Sequence, residues 1–299
     1  MVFGEDRLHS MNLDLTVPND TKLETIEASL QKLQSYWNAL FFKKKAVKVL
    51  FAIPNEGSTQ YLAYTNHMDF CLHLGALGVA SHVGIHEVSG HTFDVPKDEE
   101  FYFFHVSVGR VLTPYAREKM AEYAVNYGFD YLFFMDDDMI VPLDLFERLY
   151  KHQVDIVSAL AFTRHHPHKP VLYMVDTRYD TVQHAEQYSN HAIFNYPKDQ
   201  LVECDAVGFG AVLIHTRVLK GMNMPYFMST TGAGEDLWFC WNAKKKGFKV
   251  FCDTATKIGH LGNTPVVTEE TYEAANDMKN LRGIYPEIPR PRQPEEMRI

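Results

Sequence analysis

Residues 131–135 read YLFFM, apolar at every position, and the next three, Asp136, Asp137 and Asp138, are all acidic. An unbroken apolar run of strand length predicts a central β-strand covered on both faces, as in the parallel sheets of α/β folds. Such sheets bind ligands at the carboxyl ends of their strands, and the triplet falls at that end. Three adjacent like charges beside a buried strand repel one another unless something positive compensates them, and a hard divalent ion does so. A solvated acidic turn is the alternative. In an extended segment, Asp136 and Asp138 face one side and Asp137 the other.

The flanking segments alternate between strand and helix patterns. AVKVLFAI, from Ala46, reads as a buried strand that ends at Pro54-Asn55-Glu56-Gly57 and leads into a helix over about 59–77. Short strands are expected at 83–88 and 101–108. Thr113 as N-cap, Pro114 and the stop at Gly128 bound the next helix. Beyond the triplet come a helix (LDLFERLYKH), a strand (VDIVSALAF), a loop at 164–170 and a polar, turn-rich excursion over 171–196. The pattern closes with a strand (CDAVGFGAVLIH), a helix over 235–246, a strand (GFKVFCD) and the loop KIGHLGN. This alternation predicts an α/β fold with a mainly parallel sheet flanked by helices.

Upstream, Thr21-Lys22-Leu23-Glu24 resembles a capping box. Leu23, Ile26, Leu30, Leu33, Trp37 and Leu40 follow at helical spacing, which predicts an amphipathic helix. Packing on its own domain is favoured over a short coiled-coil seam, because no sustained heptad follows. The partition expected is a helical extension (1–42), a central domain (43–265) and a C-terminal extension with a Pro-rich tail (266–299).

A chain of 299 residues with 46% hydrophobic and 22% charged residues has the composition of a soluble globular protein. Its formal net charge of −9 argues against general nucleic-acid or anionic-membrane binding, although Lys43-Lys44-Lys45 and Lys244-Lys245-Lys246 are local basic runs. Cys71, Cys204, Cys240 and Cys252 are widely spaced and form no C-x-x-C, which fits free thiols in a reducing compartment. With neither a signal sequence nor an apolar run long enough for a span, a cytoplasmic location is expected.

Three further groups carry chemistry. Gly208-Phe209-Gly210 interrupts an apolar strand pattern, which marks a bulge or a close approach by a ligand. Glu235-Asp236 opens a helix after Gly232 and Gly234; there the pair is an acidic cap or supplies a general base. His260, in a glycine-flanked loop, could complete a metal site begun by Asp136 and Asp138.

In their order, FFMDDDM, AVGFGAVLI, GAGEDLWFCWNAKKKGFKVFCD and KIGHLG resemble the motif series of GT-A-fold glycosyltransferases, family 2-like. That series has a D-x-D motif, a glycine loop, an x-E-D motif and a C-terminal histidine. The resemblance implies that Asp136 meets the donor ribose or the metal's hydration shell and that Asp138 ligates the metal. It also implies a metal or diphosphate contact for His260 and makes Asp236, beside Glu235, the base of an inverting reaction. By the same resemblance Gly208, Phe209 and Gly210 line the donor sugar and the acceptor, and Pro54, Asn55, Glu56 and Arg117 line the nucleotide. The middle D-x-D residue is itself acidic, so a shift of one makes Asp137 a ligand.

The implied cofactor is Mn²⁺ or Mg²⁺ and the implied donor a nucleotide-sugar, a UDP-sugar above all. The acceptor could be a glycan, a lipid-linked sugar, a protein or a modified DNA base. Competing readings are a haloacid-dehalogenase-type phosphatase, a nucleotidyltransferase and a non-catalytic nucleotide-sugar binding protein. The first is disfavoured because Met139-Ile140-Val141-Pro142 follows the aspartates, the second because PNEGSTQ carries no basic residue.

Overall fold

The computed structural model describes residues 44–55, 60–84, 87–88, 91–165, 167–180, 185–230, 233–262 and 266–275. The chain divides into Met1–Lys44 and Lys45–Ile299, and all the described residues except Lys44 belong to the second unit. The helix expected over 23–40, Glu56, Gly232 and the Pro-rich tail lie outside the described residues.

Fourteen strands are described: β1 (Lys45–Asn55), β2 (Glu87–Val88), β3 (His91–Thr92), β4 (Glu99–Gly109), β5 (Tyr131–Met135), β6 (Met139–Ile140), β7 (Ile156–Leu160), β8 (Leu172–Asp180), β9 (Ala185–Ala192), β10 (Leu201–Cys204), β11 (Ala206–Val207), β12 (Ala211–His215), β13 (Val250–Lys257) and β14 (Gly259–His260). Six helices accompany them: α1 (Tyr61–Val83), α2 (Thr113–Asn126), α3 (Leu145–Tyr150), α4 (Arg217–Gly221), α5 (Glu235–Lys245) and α6 (Glu269–Ala275).

The fold is α/β, built on a seven-stranded sheet of order β10-β13-β7-β12-β5-β1-β4. β1 runs parallel to β4 and β5, and β13 parallel to β7, whereas β12 and β10 run antiparallel to their neighbours. All five residues of β5 are buried, as the apolar run requires. Leu132 and Phe134 join a core with Met120, Ala121 and Phe239 from α2 and α5. Tyr131, Phe133 and Met135 join the opposite core with Phe70, Leu77 and Phe146 from α1 and α3. Period-two alternation thus feeds two helical layers from one strand.

From β1 the chain crosses through α1 to β4 on one side, then returns through α2 to β5 on the other. This reversal opens a crevice at the carboxyl ends of β1 and β5, the place where open α/β sheets take ligands.

Several expectations need correction. α1 runs six residues past Leu77 and stops at Gly84, whose φ of 74° is the left-handed C-cap conformation, so Val83 ends a helix instead of starting a strand. The stretch 171–196 is no loop: β8 and β9 pair antiparallel from Tyr173–Ala192 to Asp180–Ala185, and β11 adds to β8. A hairpin outside the main sheet needs no buried face along its whole length, so its sequence lacks the alternation that identifies strands. The pattern CDAVGFGAVLIH divides into β10, β11 and β12. The cysteines are free thiols, three buried and Cys71 half-buried. No described helix is long and apolar enough to cross a membrane.

Candidate functional site

A cleft of about 430 Å³ opens at this crevice. Pro54 and Asn55 from the end of β1, Thr113, Ala116 and Arg117 from α2, the three aspartates after β5, Glu235 and Asp236 from α5, and His260 from β14 all line it. Residues far apart in sequence therefore meet in one place.

The acidic triplet is held as a turn. Asp136 N–H donates to the Gly210 carbonyl (3.0 Å) and Met139 N–H to the Asp136 carbonyl (3.4 Å). α1 fastens the following segment. Asn66 donates to the Val141 carbonyl (2.9 Å) and accepts from the Val141 N–H (2.8 Å), while His67 Nε2 meets the Met139 carbonyl at 2.9 Å. Because the aspartates turn, they do not alternate: Asp137 lines the same cleft as Asp136 and Asp138, contrary to the extended-strand expectation.

Asp136 and Glu235 share one cation. Arg117 Nη2 donates to Asp136 Oδ1 at 2.5 Å, and Nη1 donates to Glu235 Oε1. The guanidinium is buried among aromatic rings, 5.3 Å from the Phe209 centroid and 5.9 Å from Phe134. Burial opposes its charge, but Asp136, Glu235 and Asp236 outweigh this and raise its pKa further. Burial also holds Asp136 above the usual carboxylate range, against the pull of Arg117.

On the other wall, His260 Nε2 lies 3.1 Å from Asp138 Oδ2, and its Nδ1 lies 2.8 Å from the Phe162 carbonyl. A carbonyl only accepts, so Nδ1 carries a proton and Nε2 is the nitrogen turned to the carboxylate. β6 pairs with β14, with Met139 opposite His260, and Leu261 N–H donates to the Asp138 carbonyl at 2.9 Å, so backbone sets this contact. Arg164 Nη1 also donates to Asp138 Oδ2, at 3.1 Å.

Asp136, Asp138 and His260 were expected to hold a metal together, but no group of three His, Cys, Asp or Glu side chains among the described residues could do so. Asp136 faces Arg117, Asp138 and His260 face each other, and Asp137 lines the same cleft. A carboxylate such as that of Asp138, with water and substrate oxygens in the other positions, is the donor type that Mg²⁺ and Mn²⁺ take.

Asp236 occupies the first turn of α5, with Oδ1 accepting the Leu237 N–H at 2.7 Å. A Cβ on Gly234 would lie 2.8 Å from Asp236 Oδ1, so a side chain there would make the carboxylate shift. Burial pushes the Asp236 pKa up to about 6 and the Glu235 charge adds to this, while Arg117 and the Leu237 N–H oppose it.

Gly208, Phe209 and Gly210 are not among the residues that line the cleft. Phe209 is buried and packs on Phe227 and Phe239, because its ring gains more from the apolar core than from a polar cleft. This segment underlies the site through Arg117 and the Asp136 N–H. Conversely, Gln60, Val111 and Arg164 line the cleft although no sequence motif contains them. Arg164 alone had a signal: an arginine just beyond the carboxyl end of a buried strand.

No sequence-family description matches the chain, and no curated protein matches it. Among solved structures it is similar to A197 from STIV, at 17% identity over 72% of this chain and 86% of that one, with a TM-score of 0.41. It is also similar to GalNAc-T7, solved with UDP, GalNAc and Mn²⁺, at 11% identity over 73% of this chain and 44% of that one (TM-score 0.38). UDP-glucose pyrophosphorylase complexed with UDP-glucose follows at 8% identity over 79% and 99% of the two chains (TM-score 0.36).

Proposed function

We propose that this cleft binds a nucleoside-diphosphate sugar together with a divalent cation and transfers the sugar to an acceptor hydroxyl. The observation that carries the reading is the charge arrangement of the lining: among the described residues that line the cleft, five acids (Asp136, Asp137, Asp138, Glu235 and Asp236) outnumber the basic side chains Arg117, Arg164 and His260. A cleft with that excess of carboxylates repels a bare diphosphate and accepts one neutralised by a metal ion.

Asp138 and His260 would hold the ion, with His260 oriented by the Phe162 carbonyl behind it. Mg²⁺ or Mn²⁺ bound there supplies Lewis-acid stabilisation of the diphosphate as it departs, worth several kcal/mol. Arg164, half-exposed beside Asp138, has donors left for phosphate oxygens. Asp236 takes the proton from the acceptor hydroxyl as that oxygen bonds to the anomeric carbon and the bond to the diphosphate breaks. Approach opposite the leaving group inverts the anomeric centre. A pKa of about 6 leaves Asp236 ionised at neutral pH and basic enough to accept the proton.

Asp136 and Glu235, tied to Arg117, position the site and are not themselves bases in this scheme. Asp236→Asn tests it: donor binding should stay within about threefold while transfer falls about 10²- to 10⁴-fold. An equal loss of both would make Asp236 a helix cap only.

A further inference from the structure

Among the described residues, none covers one face of α1. Ala63, Phe70, Leu74 and Leu77 enter the core, yet Tyr61, Tyr64, Met68, Leu72, Val79 and Val83 are large, apolar and exposed, Tyr61 by 81% and Leu72 by 68%. Their steps of three and four residues, with Gly75 filling the gap, draw a single seam along the helix. A helix that is apolar on both faces is ordinarily covered on both. α1 carries no lysine or arginine and only Asp69 among the acids.

We propose that this seam is the contact of a homodimer, two copies of α1 packing antiparallel about an axis near Leu72. Such an axis sets the bulky end of one helix, at Tyr61, Tyr64 and Met68, against the small end of the other, at Ala76, Val79 and Val83. Leu72 meets its own copy. Bulk opposite small side chains is what interdigitation needs, and Gly75 and Ala76 let the helices close where Met68 enters.

The area suffices. The six side chains expose roughly 700 Å² per chain, so two copies that covered them completely would bury up to about 1,400 Å², against the roughly 1,200–2,000 Å² typical of stable interfaces. A patch of that size also exceeds the roughly 300–600 Å² usual for the largest on a monomer.

The 299-residue chain should elute, by size-exclusion chromatography with light scattering at micromolar concentration, at twice the 34.4 kDa of one chain. Leu72→Lys brings two ammonium groups together on the axis and should weaken the dimer at least 100-fold. Leu62→Lys, exposed but a quarter-turn off the seam, should leave it within threefold. Both sites are exposed, so both variants should fold with the wild-type circular-dichroism spectrum, and Leu72→Lys should lose only the concentration-dependent part of the melting temperature. A wild-type monomer at 100 µM, a Leu72→Lys dimer, or equal dissociation by both variants would each overturn the proposal.

Discussion

The Arg117 guanidinium organises the site more than any carboxylate does. It is buried, holds Asp136 and Glu235 at once, and lies against Phe134 and Phe209. Arg117→Met removes the buried cation from two carboxylates that keep 28% and 16% of their side-chain exposure, a change expected to cost about 1–3 kcal/mol of stability. Lysine cannot span both acids, so Arg117→Lys should recover less than half of that loss. Denaturant unfolding measures both, and a loss under about 1 kcal/mol for Arg117→Met would remove the arginine from this role.

Asp236 makes the opposite prediction. Its folded pKa of about 6 lies above the ordinary 3.8, so the native state binds this proton more tightly than the unfolded chain does. The charged carboxylate therefore destabilises the fold above pH 6, and this cost fades between pH 6 and about 4. Asp236→Asn should raise the melting temperature by about 2–4 °C at pH 8, and the gain should shrink as pH falls to 4. Transfer by the wild type should rise with pH through about 6 and then level. A gain that is independent of pH would detach the carboxylate from the effect.

Between elements, the short pairing of β6 with β14 brings His260 to Asp138. A Cβ on Gly259 would meet Ile140 of β6 at an ordinary 3.5 Å but lie 2.5 Å from Val266 Cγ1, so a side chain there must displace either Val266 or β14 itself. Gly259→Val should weaken Mn²⁺ affinity at least tenfold while lowering the melting temperature only slightly. Unchanged metal affinity would show that β14 does not set the histidine.

Much of this arrangement was legible in the residues. YLFFM is buried at every position because its strand lies mid-sheet between two helical layers, and the triplet ends it at the crevice. Glu235-Asp236 and His260 reach the same cleft. What could not be read was which partner each charge takes. Asp137 shares the cleft because three residues turn instead of extending, and Asp136 faces an arginine that precedes it by nineteen positions. The glycine pair hid a core phenylalanine, since a bulge and a ligand loop share one sequence pattern. The β8–β9 hairpin escaped because its residues do not alternate cleanly.

For the molecule as a whole, a sheet reversal, two helical layers and a wall of carboxylates combine into one expectation: cation first, anion through it. Gln60, which lines the cleft, directly precedes Tyr61, so the α1 seam begins at the cleft's edge. The most direct measurement is the melting temperature of the full chain across a panel of nucleoside-diphosphate sugars, each with and without Mn²⁺. Ligand bound to the native state at 100 times its Kd adds about 2.7 kcal/mol, a shift of several degrees. The account predicts such a shift for at least one donor in the presence of Mn²⁺, and its disappearance both without the metal and in Asp138→Ala. No shift with any donor, or an equal shift without metal, would contradict it.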